Sequence, residues 1–277
     1  MSGAVCEICP HRCRLQEGQA GFCGARVCRG GRVVCDSYGW LTSAALDPVE
    51  KKPLARFHPG AGILSVGSYG CNLRCPFCQN YQISMSGKRE SGMLYVPPRA
   101  LAEQAKRLVP QGNIGLAFTY NEPLIAYEYV RDCAKLNRAN GLLNVLVTNG
   151  YVCEEPLRKL LPLIDAMNID LKSFSPDFYR KIGGGLEDVR RTIEISARAG
   201  CHVEVTTLIV PGENDSPEEM RRLSEWLAGV DPGIPLHVTR FFPRYKMADR
   251  APTPVQQVYA LAAVARGALR YVYEGNC

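Results

Sequence analysis

Gly70-Cys71-Asn72-Leu73-Arg74-Cys75-Pro76-Phe77-Cys78 sets three thiols at C-x3-C-x2-C spacing, directly after the apolar run 63–70. A cubane iron–sulfur cluster has four irons and is normally held by four thiolates. This loop supplies three, with no fourth just downstream. One iron would then stay open to a ligand, as a position stays open on a catalytic zinc. A disulfide framework suits a small secreted domain, whereas this chain has 277 residues and an odd count of 13 cysteines. A zinc knuckle needs a second pair of ligands. The next thiol is Cys133, within a helical segment, and the nearest imidazole, His58, precedes the loop. Spacing alone therefore favours iron–sulfur over zinc.

A chain of this length can bury one large core. Hydrophobic residues make up 46% and charged residues 22%, ordinary for a soluble globular protein. A formal charge of +6 permits acidic ligands without indicating nucleic acid. The start, Met1-Ser2-Gly3-Ala4-Val5-Cys6, lacks a basic region followed by an apolar stretch, so no signal peptide is expected. Apolar runs are strand-length and too short to span a bilayer. Many cysteines without a secretion signal point to a reducing cytoplasm and to metal chemistry.

From residue 63 onward the chain alternates short apolar strands with helical segments. Strands are expected at 63–69, 114–120, 143–148, 167–171, 203–210 and 236–242, with 271–273 as a short further candidate. Their near-continuous Val, Ile, Leu and aromatic content suits strands buried on both faces. Between them, Ser216-Pro217-Glu218-Glu219 reads as a capping box, with Ser216 as N-cap and Glu219 reaching back. Val189, Ile193 and Ala197 form one helical stripe that stops at Gly200. Six βα units make a parallel sheet and fall short of the eight that close a full barrel. The fold expected is α/β, a partial (β/α)6 parallel barrel over residues 63–277, with a cysteine-rich N-terminal extension over 1–62. Chemistry in such sheets sits at the C-terminal ends of the strands.

The remaining motifs fall at those ends. Thr119-Tyr120-Asn121-Glu122-Pro123 ends the second strand. A carboxylate and freed carbonyls there suit a cation, although a helix start with Asn121 as cap is the competing reading. Val147-Thr148-Asn149-Gly150 ends the third strand and Asn168-Ile169-Asp170-Leu171-Lys172 the fourth. Asp170 and Lys172 alternate with apolar residues, so both point to one face, at the barrel mouth. They are either site residues, since a buried-facing pair without function is costly, or a rim salt bridge. Val210-Pro211-Gly212-Glu213-Asn214-Asp215 closes the fifth strand. Arg240-Phe241-Phe242-Pro243-Arg244-Tyr245-Lys246-Met247 ends the sixth, where Arg240 or Arg244 would grip a carboxylate or phosphate, or form a solvated rim. His237 reads as a structural strand histidine.

The cysteine loop with these strand-end motifs resembles the radical S-adenosylmethionine superfamily. Together with Asp47-Pro48-Val49-Glu50-Lys51-Lys52-Pro53-Leu54 and the N-terminal cysteines, it looks like the AmmeMemoRadiSam type, similar to pyruvate formate-lyase activating enzymes. The resemblance covers nearly the whole chain. It implies a [4Fe-4S] cluster on Cys71, Cys75 and Cys78 whose open iron chelates S-adenosylmethionine. One electron then cleaves the sulfonium, and a 5'-deoxyadenosyl radical abstracts hydrogen from a substrate. The cofactor contacts it implies are Phe77 near the adenine, Asn121 and Glu122 in place of a Gly-Gly-Glu-Pro-like segment, Asn149, and Asp170 with Lys172. Thr206 stands where glycyl-radical activases often carry an arginine. The implied partners are an electron donor such as flavodoxin or ferredoxin and a protein substrate, with no membrane and no nucleic acid.

Cys6, Cys9, Cys13 and Cys23 form a separate group that could hold structural zinc, an auxiliary cluster or nothing. The substrate is not legible. Against the radical enzyme stand a zinc-stabilised binding module and an RNA-modifying enzyme, the latter leaning on the basic segment Arg240 to Lys246.

Overall fold

The computed structural model describes residues 3–87 and 92–277. Eight strands form one sheet: β1 (Ser43–Pro48), β2 (Gly62–Gly67), β3 (Asn113–Phe118), β4 (Leu143–Thr148), β5 (Ala166–Asp170), β6 (His202–Ile209), β7 (Leu236–Arg240) and β8 (Val272–Gly275). They lie side by side in chain order. Every neighbouring pair from β2 to β8 is parallel, and β1 runs antiparallel to β2. The edge strands β1 and β8 share no ladder, so the architecture is a partial barrel. The sequence-expected strands all form, displaced by at most two or three residues at either end. Ser43–Pro48 lies within the cysteine-rich segment and joins the same sheet. Its alanines, acid and terminal proline suit an edge, where only one side needs a ladder.

The helices follow the expected stripes. Leu186–Arg198 buries Val189 and Ile193, and Gly200 beyond its end takes φ +79°. Pro217–Val230 starts with the Ser216 side chain accepting from the Glu219 amide. The reciprocal half of that capping box does not form. The Glu219 carboxylate accepts instead from the Ser173 hydroxyl and the Phe174 amide, so a long-range tie to the loop after β5 displaces the local one.

The connection from β1 to β2 crosses the N-terminal end of the barrel. Val49, Leu54 and Phe57 pack there against Ile63, Ala117, Val145 and Ala166. The plug is pinned from β5 and β6. The Asn168 side chain donates to the Pro53 carbonyl at 2.8 Å. Glu204, fully buried, accepts from the backbone amides of Ala55 and Arg56 at 2.9 and 2.8 Å. The same carboxylate lies 2.9 Å from His202 Nε2 and 2.6 Å from His237 Nε2. His237 is thus structural, and chemistry is left to the opposite end.

Burial opposes ionisation of Glu204, but its four partners outweigh it and hold the carboxyl down at about 2, against an ordinary 4.5. A depressed carboxyl stabilises the fold above the unfolded value, and that contribution is lost as pH falls from 4.5 toward 2. The difference corresponds to about 3 kcal/mol. Glu204→Gln should lower unfolding free energy by that order at pH 6, with the gap to the parent shrinking below pH 4. Denaturant titrations at both pH values check this; an equal gap at the two would contradict it.

Candidate functional site

The cysteine loop leaves β2 through Gly70, whose φ is +83°. A Cβ there would lie 2.4 Å from the Cys23 carbonyl oxygen, so only glycine fits. Several elements then clamp the loop. The Arg74 amide donates to the Ile182 carbonyl and the Lys246 amide to the Pro76 carbonyl. Asn72, 1% exposed, is its anchor. Its side-chain amide donates to the Tyr151 carbonyl at 2.7 Å, and its side-chain oxygen accepts from Asn149 Nδ2 at 2.9 Å. Asn149 Nδ2 also lies 3.6 Å from the Cys71 sulfur.

Cys71, Cys75 and Cys78 line a cavity of about 460 Å³ at the C-terminal ends of the strands. Phe77, Asn121, Glu122, Asn149, Asp170 and Lys172 share its walls, so the geometry brings the expected cluster cysteines and cofactor-contact residues together. Phe77 is buried with its ring 6.1 Å from Phe178. Asn121 faces the cavity but is committed to the loop. Its side chain accepts from the Ser68 amide and donates to the Tyr69 and Gly70 carbonyls. The cap of the following 3-10 turn, Pro123–Ala126, is Glu122 and not Asn121.

Glu122, 3% exposed, accepts from the Leu124 and Asn149 amides and the Thr148 hydroxyl at 2.9, 2.8 and 2.7 Å. Burial nevertheless pushes its carboxyl up to about 7. It is a buried carboxyl short of a counter-cation among the described residues. Lys172 Nζ sits 2.9 Å from Asp170 Oδ2. That carboxylate keeps the ammonium charged despite burial. Burial raises the Cys71 thiol, and raises Cys75 to about 11 against the pull of Lys172. Such thiols ionise only with a strong positive partner, which metal ligation supplies. Three convergent soft donors at a cavity wall, with a cation and an amide donor beside them, fit an iron–sulfur group.

Sequence reasoning missed one wall. Lys52, 1% exposed, reaches into the cavity with Nζ 2.9 Å from Asp47 Oδ2 and 4.8 Å from the centre of the Tyr120 ring. Tyr120 takes φ +70° and donates to the same carboxylate at 2.7 Å. Its ring lies over Gly67, where a Cβ would come within 2.8 Å of it. The segment 47–54 was legible as a motif, but nothing in it assigned Lys52 to the cavity. Thr206 lines the cavity and donates to Asn168 Oδ1. Arg240 lies outside that wall, with Nε donating to the Thr253 carbonyl and its guanidinium 4.8 Å from the Phe242 ring centre; Arg244 is exposed. A separate surface recess of about 560 Å³, beside Glu7, Arg12 and the start of the helix Glu154–Leu160, has only Cys153 as a soft donor.

The family model of the radical SAM superfamily matches residues 65–224, and the chain belongs to that superfamily. An uncharacterised protein of Methanocaldococcus jannaschii is 40% identical over 275 residues, covering 98% of this chain and 80% of its own length. The pyruvate formate-lyase-activating enzyme of Clostridium pasteurianum is 28% identical over 180 residues, or 62% of this chain and 72% of the relative. Among solved structures, Streptococcus suis SuiB bound to S-adenosylmethionine superposes with a TM-score of 0.57 at 13% identity, over 78% of this chain and 52% of that chain. Membership implies a [4Fe-4S] cluster and S-adenosylmethionine. No helix among the described residues is long and apolar enough to cross a membrane.

The Asn72–Asn149 pair is a buried side-chain coupling and is testable without any cofactor. Asn72→Ala and Asn149→Ala should each cost about 1–3 kcal/mol of unfolding free energy. The double variant should cost less than their sum by about 1 kcal/mol. Additive losses in equilibrium unfolding would show that the loop is held independently of β4.

Proposed function

We propose that the protein is a radical S-adenosylmethionine enzyme of activating-enzyme type. Cys71, Cys75 and Cys78 would hold the [4Fe-4S] cluster, with S-adenosylmethionine in the cavity beside it. The observation that carries this reading is the convergence of three thiols, Glu122, Asn149, Asp170 and Lys172 on one cavity at the strand ends. When bound, the cluster and S-adenosylmethionine supply one-electron cleavage of the sulfonium and a 5'-deoxyadenosyl radical that abstracts hydrogen from a substrate.

The chain's own residues bind and orient. Glu122, a buried carboxylate without a counter-cation, suits the methionine ammonium, whose charge would hold it ionised. Lys172, steadied by Asp170, suits the methionine carboxylate. Phe77 offers an apolar face to the adenine. Asn149 steadies Cys71 and Asn121 the approach to the loop. Other parts of the wall, among them Lys51, Lys52, Tyr120, Thr206 and Thr239, are left for the substrate. Similarity to a pyruvate formate-lyase-activating enzyme supports a glycyl radical protein as that substrate, a flavodoxin or ferredoxin as reductant, and a cytoplasmic setting. A second metal at Cys6, Cys9, Cys13 and Cys23 belongs to the same reading.

Protein loaded with iron and sulfide anaerobically should release 5'-deoxyadenosine from S-adenosylmethionine under a strong reductant. The Cys71→Ala/Cys75→Ala/Cys78→Ala variant should release none. Glu122→Gln and Lys172→Ala should each weaken S-adenosylmethionine binding by tenfold or more, about 1.4 kcal/mol. A colourless, zinc-loaded parent without product would sink the reading.

A further inference from the structure

Lys51 and Lys52 sit side by side on the plug segment and both line the cavity, yet neither is needed to hold S-adenosylmethionine. One carboxylate serves both. Lys52 Nζ lies 2.9 Å from Asp47 Oδ2, and Lys51 Nζ lies 3.5 Å from Asp47 Oδ1. The Lys51 side chain is exposed and that of Lys52 is buried. A purely structural ion pair matches one cation to one anion. Here two ammonium groups share one acid, so this part of the wall carries an excess positive charge.

Lys52 is also short of acceptors. An ammonium has three N–H donors. Among the described residues Asp47 is its one hydrogen-bond acceptor, and its other close partner is the Tyr120 ring, whose centre is 4.8 Å from Nζ. Burying a cation without full compensation is costly. Burial opposes the charge on both members of the pair. Asp47 stays ionised, held at about 2, because Lys52 and Tyr120 both bond to it. Lys52 has Asp47 alone, and burial pulls its ammonium below the ordinary lysine value.

The surroundings hold this arrangement at some cost. Tyr120 takes φ +70°, a conformation that an aromatic residue keeps only where its neighbours impose it. The Asn80 side chain donates to its carbonyl at 2.7 Å, and its own hydroxyl donates to Asp47 at 2.7 Å. The threonines of this wall offer a ligand no donor. The Thr206 hydroxyl donates to Asn168 Oδ1 and the Thr239 hydroxyl to the Thr207 carbonyl. The spare donors here are those of the two lysines.

We propose that Lys51 and Lys52 bind a carboxylate of the substrate, with Asp47 and Tyr120 as positioning residues. The inference rests on the cavity being the S-adenosylmethionine site and names the class of molecule that enters beside it. Charge decides between carboxylate and phosphate. A carboxylate cancels the excess charge of two lysines and one aspartate, whereas a phosphate dianion would leave the wall negative beside Asp47. The carboxylate belongs either to a small acid or to an acidic side chain of a polypeptide.

Equilibrium dialysis of the iron-loaded protein with S-adenosylmethionine tests this with defined probes. Succinate, acetyl-Gly-Glu-Gly-amide or both should bind about tenfold more tightly than the neutral succinamide and acetyl-Gly-Gln-Gly-amide. Tighter binding of the peptide assigns the carboxylate to a polypeptide, and tighter binding of succinate assigns it to a small acid. Lys51→Gln and Lys52→Gln should each abolish most of the preference for acid over amide, while Arg244→Gln at the exposed rim should keep it. Should Lys52→Gln fail to fold, the exposed Lys51 carries the test. Equal binding of acid and amide overturns the proposal, as does a preference that Lys51→Gln retains or that Arg244→Gln also loses. Release of 5'-deoxyadenosine from the same samples without probe reports on the proposed function separately. An acid preference that depends on the lysines, in protein that cleaves no S-adenosylmethionine, keeps the carboxylate site and counts against that function alone.

Discussion

Everything at the cavity depends on a buried carboxylate held where it has no counter-charge. Glu122 takes the Asn149 amide and the Thr148 hydroxyl from the end of β4 and caps its own turn through Leu124. Asn149 then holds Asn72 and flanks Cys71. One continuous hydrogen-bond network thus runs from the end of β3, through the end of β4, to the loop after β2. Such a network is high-stakes, because any unsatisfied member in a low-dielectric site costs more than the bond it would have made. It fixes the first thiol relative to the anion without using the thiol's own ligating capacity.

The barrel divides labour between its two ends. At the N-terminal end, Glu204 and Asn168 spend their polar groups on the plug, and the apolar side chains of Leu54 and Phe57 fill the space below. Two residues further along the same strands, and so on the same face, Thr206 and Asp170 line the cavity. Strand alternation therefore puts structural polar residues and site residues on one inner face at successive levels. The antiparallel β1 adds the third element. It delivers Asp47, which orients both Lys52 and Tyr120 at the cavity wall.

What was legible in the sequence follows from what leaves a local trace. Buried parallel strands leave runs of Val, Ile and Leu, and their ends are marked by Asn149, Asp170 and the cysteine loop, so strands and site residues were read together. Ser216 was legible as a cap because capping is local. The partner of Glu219 was not, because Ser173 and Phe174 lie 46 and 45 residues away. The same holds for Lys52, whose pairing with Tyr120 depends on how the plug folds back, and for Asn121, whose side chain serves the loop before Cys71. β1 was missed because an edge strand with Ala44 and Ala45 exposed carries no hydrophobic run.

The most direct measurement is the electron paramagnetic resonance spectrum of the reduced, iron-loaded protein with and without S-adenosylmethionine. If three thiols leave one iron open at this cavity, adding S-adenosylmethionine shifts the signal, and the shift disappears when Cys71, Cys75 and Cys78 are replaced by Ala. A spectrum that S-adenosylmethionine leaves unchanged would mean that the loop does not present an open iron, and the account of the cavity would fail.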